Sequence, residues 1–183
     1  METKLFETSG GFLSVKTVNT TSYFYAERKG IDSVAFILID NNRPDKYGLI
    51  NERKPSMDHR WNKEVFLETA FGGSNDGIDI DEYLEMDETE TIEHFKKLVQ
   101  VETKEESGFD VDLDRIKFIS KEFVSTQMNQ FCFLFVVDVT DLEEGETNPQ
   151  NAEEAKATIS WKTLKAVQKT NDWKSKTIIF NLF

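Results

Sequence analysis

Two continuous apolar runs, at residues 34–39 and 131–137, constrain the fold of this chain more than any other feature. Neither run alternates with polar residues, and uninterrupted apolar runs of this length are typical of strands buried on both faces of a sheet. The first run is followed by a polar turn at 40–45 and a further stretch at 47–51, which predicts a buried hairpin. With 183 residues, the chain has room for one hydrophobic core.

The remaining segments predict one α/β domain, 33–183, preceded by a small β extension, 1–32. The extension contains alternating apolar and polar positions, typical of two or three strands. A helix is predicted from near Asp87 to Gly108, because the first residue can cap it and the second can end it. The other predicted elements are a polar segment at 52–63, a strand at 65–71 running into Gly72-Gly73, a loop at 74–88, strands at 116–124, 131–139 and 158–161, and helical segments at 164–167 and 178–182. This order predicts an α/β sandwich around a mixed sheet.

Charge and cysteine content disfavour several classes of protein. The net charge of -12 disfavours non-specific binding to nucleic acid and to anionic membranes, because both require a basic surface. No stretch is long and apolar enough to span a membrane, and the N-terminus lacks a signal peptide, so we expect a cytoplasmic protein. The single cysteine, Cys132, lies in the second apolar run and is expected to be a buried core thiol.

Three glutamates of the predicted helix are the strongest candidates for a functional site. Glu102, Glu105 and Glu106 stand at i, i+3 and i+4, so their carboxylates share one helix face. Like charges at this spacing repel one another, whereas hard divalent cations such as Mg²⁺ or Mn²⁺ prefer such all-oxygen surroundings. The alternative is a merely solvated acidic face in an unrelated α/β domain.

The sequence around these glutamates resembles the second half of the Nudix box, whose pattern is G-x5-E-x7-R-E-U-x-E-E-x-G-U with U apolar. The matching residues are Glu102, Glu105, Glu106, Gly108 and Phe109, with Glu93 at the first glutamate of the box. Three positions depart from the pattern: Val101 replaces the arginine, Thr103 an aliphatic residue and Asp87 the glycine. The retained half of the box is the half that holds metal in the family.

A second resemblance extends over most of the chain, to the ADP-ribose and nucleoside-diphosphate-sugar branch of the Nudix hydrolases. Residues 67–73 are similar to the Leu-Glu-x-Pro-Ala-Gly-Gly motif of that branch, and the strands that end in Tyr23-Phe24-Tyr25 resemble its dimerisation sheet. The resemblance implies a Nudix-type α/β/α sandwich, a homodimer, and hydrolysis of the diphosphate linkage in a nucleotide substrate such as ADP-ribose or a nucleotide sugar.

The resemblance also implies roles for individual residues. Glu102 and Glu106 would be the main ligands of Mg²⁺ or Mn²⁺, and Glu105 would be a ligand or a general base. The backbone carbonyl of Phe71 would assist in metal binding, and Tyr25 is the candidate for contact with the base of the substrate.

Further candidates lie outside the box. Some members of the branch take their general base from a late loop, which points to Glu153 or Glu154. Candidates for substrate binding are Glu68, which precedes Gly72-Gly73, and the cations Arg53, Lys54 and Arg60, which could meet phosphate. For each of these residues, the competing interpretation is an ordinary surface charge.

Val101 leaves a second function open. An arginine that orients a metal ligand contributes about 10 to 100-fold to metal affinity or activity, and valine cannot replace its charged hydrogen bond. The alternative to an enzyme is therefore a catalytically impaired Nudix domain that binds a nucleotide as a sensor or interaction module.

Overall fold

The structure is a computed structural model that describes residues 2–18, 23–149 and 154–183. The strands are β1 (Glu2–Glu7), β2 (Leu13–Val18), β3 (Phe24–Arg28), β4 (Ser33–Ile39), β5 (Lys46–Arg53), β6 (Phe66–Thr69), β7 (Phe71–Ser74), β8 (Ile116–Phe123), β9 (Phe131–Asp138) and β10 (Thr158–Thr163). The helices are α1 (Pro55–Trp61), α2 (Ile80–Glu85), α3 (Glu88–Ser107), α4 (Leu164–Val167) and α5 (Trp173–Leu182).

The two apolar runs form neighbouring parallel strands, β4 and β9, at the centre of the main sheet. The order along that sheet is β10-β5-β4-β9-β8, with β6 added to β5 and β7 added to β4. All pairings other than β4 with β9 are antiparallel, so the sheet is mixed as predicted. Both central strands are buried because helices cover the two faces of the sheet.

The two faces of the sheet have separate cores. On one face, α3 packs over a cluster rich in phenylalanine, which includes Phe36, Phe95 and Phe133. On the other face, α4 and α5 pack over a mainly aliphatic cluster that includes Ile178 and also holds Cys132, the core thiol expected from the sequence. The α/β/α sandwich is therefore confirmed.

The predicted hairpin forms only at its turn. Just two residue pairs, Leu38 with Gly48 and Ile39 with Tyr47, join β4 to β5, and the first half of β4 pairs with β7 instead. The single strand expected at 65–71 is accordingly two strands that break at Ala70 and change partner from β5 to β4.

Two short helices lie where the sequence predicts none: α2 lies in the expected loop at 74–88, and α1 lies in the polar segment at 52–63. In α2, the Asp79 side chain accepts hydrogen bonds from the backbone N–H groups of Asp81 (2.9 Å) and Glu82 (3.3 Å), and Tyr83 is buried. In α1, Pro55 stands in the first turn, where its missing N–H costs nothing. Both helices are only 6 or 7 residues long, too short for a strong apolar periodicity.

The N-terminal strands form the predicted separate sheet, in the order β1-β2-β3. This sheet is joined to the domain through Ala26, which exchanges backbone hydrogen bonds with Gln127 and Asn129. Every residue of β1 is exposed, including Leu5 and Phe6. The homodimer expected from this sheet stays a prediction. None of the described helices is long and apolar enough to cross a membrane.

Candidate functional site

Helix α3 has the boundaries that the sequence predicts. Asp87 and Glu90 form a reciprocal capping box at its start, and Gly108 ends it in the left-handed conformation with φ of 77°. Gly108 is required twice, because a side chain there would also collide with the backbone of Gly145. The helix is therefore fixed at both ends.

A buried stripe on α3 decides where its glutamates lie. The stripe recurs every four residues and is fully buried; it consists of Phe95, Val99, Thr103 and Ser107. Thr103, which replaces an aliphatic residue of the box, remains buried because its hydroxyl donates to the Val99 carbonyl at 2.6 Å. The stripe seats the helix against the sheet and leaves the flanking glutamates at the edge of the contact, where a cleft opens.

The cleft has a volume of about 370 Å³ and lies between α3, β7, the N-terminal region and the loop before β10. All three box glutamates line it. The other lining residues are Phe12, Arg28, Ile50, Gly72, Gly73, Ser74, Asp76, Thr147, Asn148, Pro149 and Ala157. The cleft therefore brings Glu102, Glu105 and Glu106 beside the Gly72-Gly73 strand end, and their roles stay a prediction.

The two glycines allow the glutamates to reach the strand backbone. Gly72 N–H donates to Glu106 Oε2 at 3.2 Å. A methyl group on Gly73 would overlap the carboxylate of Glu102, and one on Gly72 would lie 2.6 Å from the Val34 carbonyl oxygen. Glycine is therefore needed at both positions for close approach, rather than for an unusual backbone angle.

Asp76 adds a fourth carboxylate to the cleft. From the sequence, this residue is assigned only to the loop at 74–88, without a role. Its Oδ1 atom is buried and has no hydrogen-bond partner among the described residues. A buried carboxylate oxygen without a donor is costly, and a bound cation is one way to satisfy it. The loop composition alone could not distinguish Asp76 from its acidic neighbours.

Arg28, at the end of β3, is the one cation among the described residues that line the cleft. Its guanidinium donates to Ser74 Oγ at 2.6 Å and lies 5.0 Å from the ring centroid of Phe12. A hydrogen bond and a cation–π contact therefore hold it over the glycine strand end. Sequence reasoning missed Arg28 because it belongs to the N-terminal sheet, far from the box along the chain.

The loop before β10 covers the C-terminal end of α3. Asn148 N–H donates to the Glu105 carbonyl at 3.0 Å, and Gly145 N–H donates to the Gly108 carbonyl at 3.2 Å. Glu153 lies outside the described residues. Glu154 begins the 3-10 turn Glu154–Lys156, and its side chain is likewise outside the described part. Their role as a general base stays a prediction.

The three cations proposed for phosphate do not line the cleft. Arg53 is paired with Asp58 at 2.6 Å and Glu64 at 3.5 Å, and Lys54 is paired with Glu52. The guanidinium of Arg60 lies 5.6 Å from the ring centroid of its neighbour Trp61. These contacts place the three cations around α1, where carboxylates or an aromatic ring engage them.

Two of the other candidates, Tyr25 and Glu68, are engaged away from the cleft, and the third, Phe71, adjoins it. Tyr25 is buried and donates to Glu2, and its pKa is raised, chiefly by burial and then by that carboxylate. Glu68 accepts a hydrogen bond from Ser160 at 3.0 Å and pairs with Lys162 at 2.5 Å. The Phe71 ring is buried against Phe36, while its backbone directly precedes the cleft glycines.

The apolar residue Val101 stands where the box has its arginine. Val101 is 51% exposed, and Lys104 is directed to the end of α3, 3.5 Å from the Gly108 carbonyl and 3.6 Å from Asp110. Across the described ranges, no three acidic, histidine or cysteine side chains converge closely enough to hold an ion. The carboxylates thus share a cleft without forming a closed ligand set.

Neither a protein-family model nor a curated protein sequence matches the chain. Among solved structures, the chain is similar to one described as the crystal structure of ADP compounds hydrolase, a Nudix enzyme. The sequences are 14% identical, the match covers 100% of this chain and 89% of the other, and the TM-score is 0.63. At this identity the likeness is one of fold, and it confirms the Nudix-type sandwich.

Proposed function

We propose that this protein is a metal-dependent Nudix pyrophosphohydrolase that cleaves the diphosphate linkage of a nucleoside diphosphate joined to another moiety, of the ADP-ribose or nucleotide-sugar type. The observation that carries the proposal is the cleft that Glu102, Glu105 and Glu106 line together with Gly72 and Gly73. The shared fold with an ADP compounds hydrolase supports the same chemistry.

The donor set suits a divalent cation by its chemistry, although its carboxylates do not converge on one point among the described residues. Four carboxylates line the cleft, among them Asp76 with its unsatisfied buried oxygen, and Mg²⁺ and Mn²⁺ prefer such oxygen ligands. Glu102 and Glu106 would hold the ion, with Asp76 and the Phe71 carbonyl as additional donors. A bound divalent cation supplies neutralisation of phosphate charge and an activated water.

The residues of the chain would then orient and protect the reacting groups. Gly72 N–H fixes one oxygen of Glu106, and Gly73 gives Glu102 room beside the strand. Arg28 would anchor a phosphate oxygen, because a cation in a carboxylate-lined cleft attracts the anionic part of a substrate. The general base would be Glu105, or Glu153 or Glu154 in the loop.

A specific observation favours the second candidate function, a catalytically impaired domain that binds a nucleotide. Val101 is exposed at the position of the box arginine, and no three potential ligands converge within the described part of the chain. Such a domain would still use Arg28 and the glycine backbone to bind phosphate, but it would turn over slowly or not at all.

Turnover measurements separate the two functions. Purified protein is incubated with Mg²⁺ or Mn²⁺ and, separately, ADP-ribose, dinucleotides of the NAD type, nucleotide sugars, dinucleoside polyphosphates and nucleoside triphosphates. Products are identified by mass spectrometry. The test variant is Glu105→Gln/Glu106→Gln, and the matched control is Glu88→Gln, an exposed residue in the first turn of the same helix that lies outside the cleft.

The hydrolase is supported by metal-dependent turnover that is lost in the double variant and kept in the control. The binding module is supported if no compound is hydrolysed while isothermal titration shows nucleotide binding without metal. Turnover that survives in the double variant would contradict a role for these carboxylates in catalysis.

A further inference from the structure

The C-terminal helical layer has a charge opposite to that of the rest of the molecule. Residues 164–183, which contain α4 and α5, hold four lysines and a single carboxylate side chain, although the whole chain has a net charge of -12. That carboxylate belongs to Asp172, which is buried and accepts hydrogen bonds at the start of α5. The outward side of this layer is therefore basic.

An apolar stripe crosses this basic surface. The inward side of α5 is buried through Ile178 and Ile179, whereas positions 173, 176 and 180 follow one another along the outward side. Phe183 directly follows the helix, and its ring meets that of Tyr47 edge-on at a centroid distance of 6.5 Å. Trp173 is 39%, Phe180 83% and Phe183 85% exposed, and Lys176 is exposed between them. We call these four residues the α5 ridge. Several large apolar side chains exposed on one surface are typical of interaction sites.

A groove of the opposite charge lies on the other side of the molecule, between α2 and α3. Residues 79–93 contain eight carboxylates and neither lysine nor arginine. The groove has a volume of about 550 Å³. Its acidic lining consists of Glu82, Glu85, Glu90 and Glu93, with His94 and Lys97 also present. Ile78 and Met86 give it an apolar part, and the neighbouring Leu84 is 66% exposed.

We propose that the α5 ridge of one copy of this chain binds the α2–α3 groove of a second copy. The two surfaces match in charge, and each combines that charge with exposed apolar groups, which is the mode in which a helix docks in a groove. The ridge belongs to the helical layer that covers one face of the sheet, whereas α3 covers the other face. The two surfaces thus meet between copies, in a head-to-tail contact.

The contact is expected to be weak and sensitive to salt. One helix of 10 residues buries less surface than a standard stable interface, so association should appear only at high protein concentration. The charged rim of the groove is exposed, and added salt screens its attraction to Lys176. Neither surface includes a residue that lines the cleft, so the contact is independent of the proposed hydrolysis.

Sedimentation velocity tests the contact, over protein concentrations from about 1 to about 500 μM at low and at high salt. The average molecular mass at each concentration is compared with the mass of the same sample at the lowest concentration. A tighter dimer formed through another surface is present at every concentration and therefore does not contribute to the change. The ridge variant is Phe180→Ser/Phe183→Ser, and the groove variant is Glu82→Lys/Glu85→Lys. Trp61→Ser, in which another exposed aromatic residue is lost from α1, is the matched control.

We expect the wild type and the control to gain mass with concentration at low salt, and each variant alone to keep its low-concentration mass. A mixture of the two variants should associate again, because one retains the groove and the other the ridge. That recovery would also show that both variants are folded. A wild type whose mass does not change with concentration, association that persists in either variant alone, or a mixture that fails to associate would overturn the proposal.

Discussion

The two helical layers cover the same sheet but have opposite properties. Helix α3 has 20 residues, is capped at both ends, buries its aromatic side chain Phe95 and turns carboxylates toward a cleft. Helix α5 has 10 residues, buries isoleucines and turns aromatic rings and lysine toward solvent. The α3 side carries the candidate site, whereas the α5 side exposes aromatic groups that its own fold does not bury.

The same change of phenylalanine to alanine should have very different effects on the two layers. Phe95 is fully buried, with its ring centroid 4.2 Å from that of Phe133, so Phe95→Ala should lower the free energy of unfolding by about 3–5 kcal/mol. Phe180→Ala should change it by less than about 0.5 kcal/mol, because the ring is 83% exposed. Urea unfolding measures both. Equal losses would show that α5 is packed in solution as tightly as α3.

The approach of α3 to the sheet should be the most sensitive point for activity. In Gly73→Ala, the new methyl group displaces the Glu102 carboxylate, and a misplacement of about 1 Å typically lowers the rate by about 100-fold. Gly77→Ala, in the next loop, has no neighbour within 4 Å of the added methyl group and should retain activity. The measurement is kcat/KM for whichever nucleotide is hydrolysed. Full activity in Gly73→Ala would argue against a role for Glu102.

For the helix caps, the larger stability loss is expected in the α5 layer rather than in the α3 layer. Asp172 Oδ2 accepts from Ala70 N–H at 2.9 Å, Ser175 N–H at 3.0 Å and Ser175 Oγ at 2.5 Å. Asp172→Ala leaves these donors unpaired in a buried place and should cost about 2–4 kcal/mol of unfolding free energy. Asp87→Ala removes an exposed cap of α3 and should cost about 1 kcal/mol. Thermal and urea unfolding of both variants test the order, and the reverse order would contradict it.

Introducing an arginine at the box position on α3 should increase the rate of hydrolysis. Val101→Arg supplies a charged hydrogen-bond donor beside Glu102, and we expect kcat/KM to rise by about 10-fold. Val101→Leu is the control for added side-chain volume and should leave the rate unchanged. If the arginine variant is no faster than the leucine variant, the carboxylates are oriented without help from this position.

The smallest expected effect concerns pH. Burial, and then Lys97, lower the pKa of His94, which is hydrogen-bonded to Asn75 at 2.6 Å, whereas residues 155–183 contain no histidine. The unfolded chain therefore binds more protons below about pH 6.5, and folding stability should fall as the pH decreases through that value. Urea midpoints at about pH 7.5 and about pH 5.5 measure the fall. The fall in the urea midpoint should be smaller in His94→Gln than in the wild type. The control, His59→Gln on α1, should show the same fall as the wild type.

Local signals made α3 predictable from the sequence. Its capping residues, terminal glycine and spaced glutamates all act within a few residues of one another, so the sequence pattern states both the helix and its acidic face. The break at Ala70 could not be predicted in this way, because the strand changes partner there and Ala70 N–H bonds to Asp172, about a hundred residues away. Arg28 escaped prediction for the same reason, since it reaches the cleft only through the folding of the N-terminal sheet.

By itself, the sequence determined the two central strands, the capped acidic helix and the glycines that accompany it, because these follow from hydrophobic runs and short-range backbone chemistry. Only the tertiary structure decided which charges share the cleft. It brought Arg28 and Asp76 to the box glutamates and placed Arg53, Lys54 and Arg60 around α1. Charge is a property of single residues, but the field at a site depends on which residues the fold brings within a few ångströms.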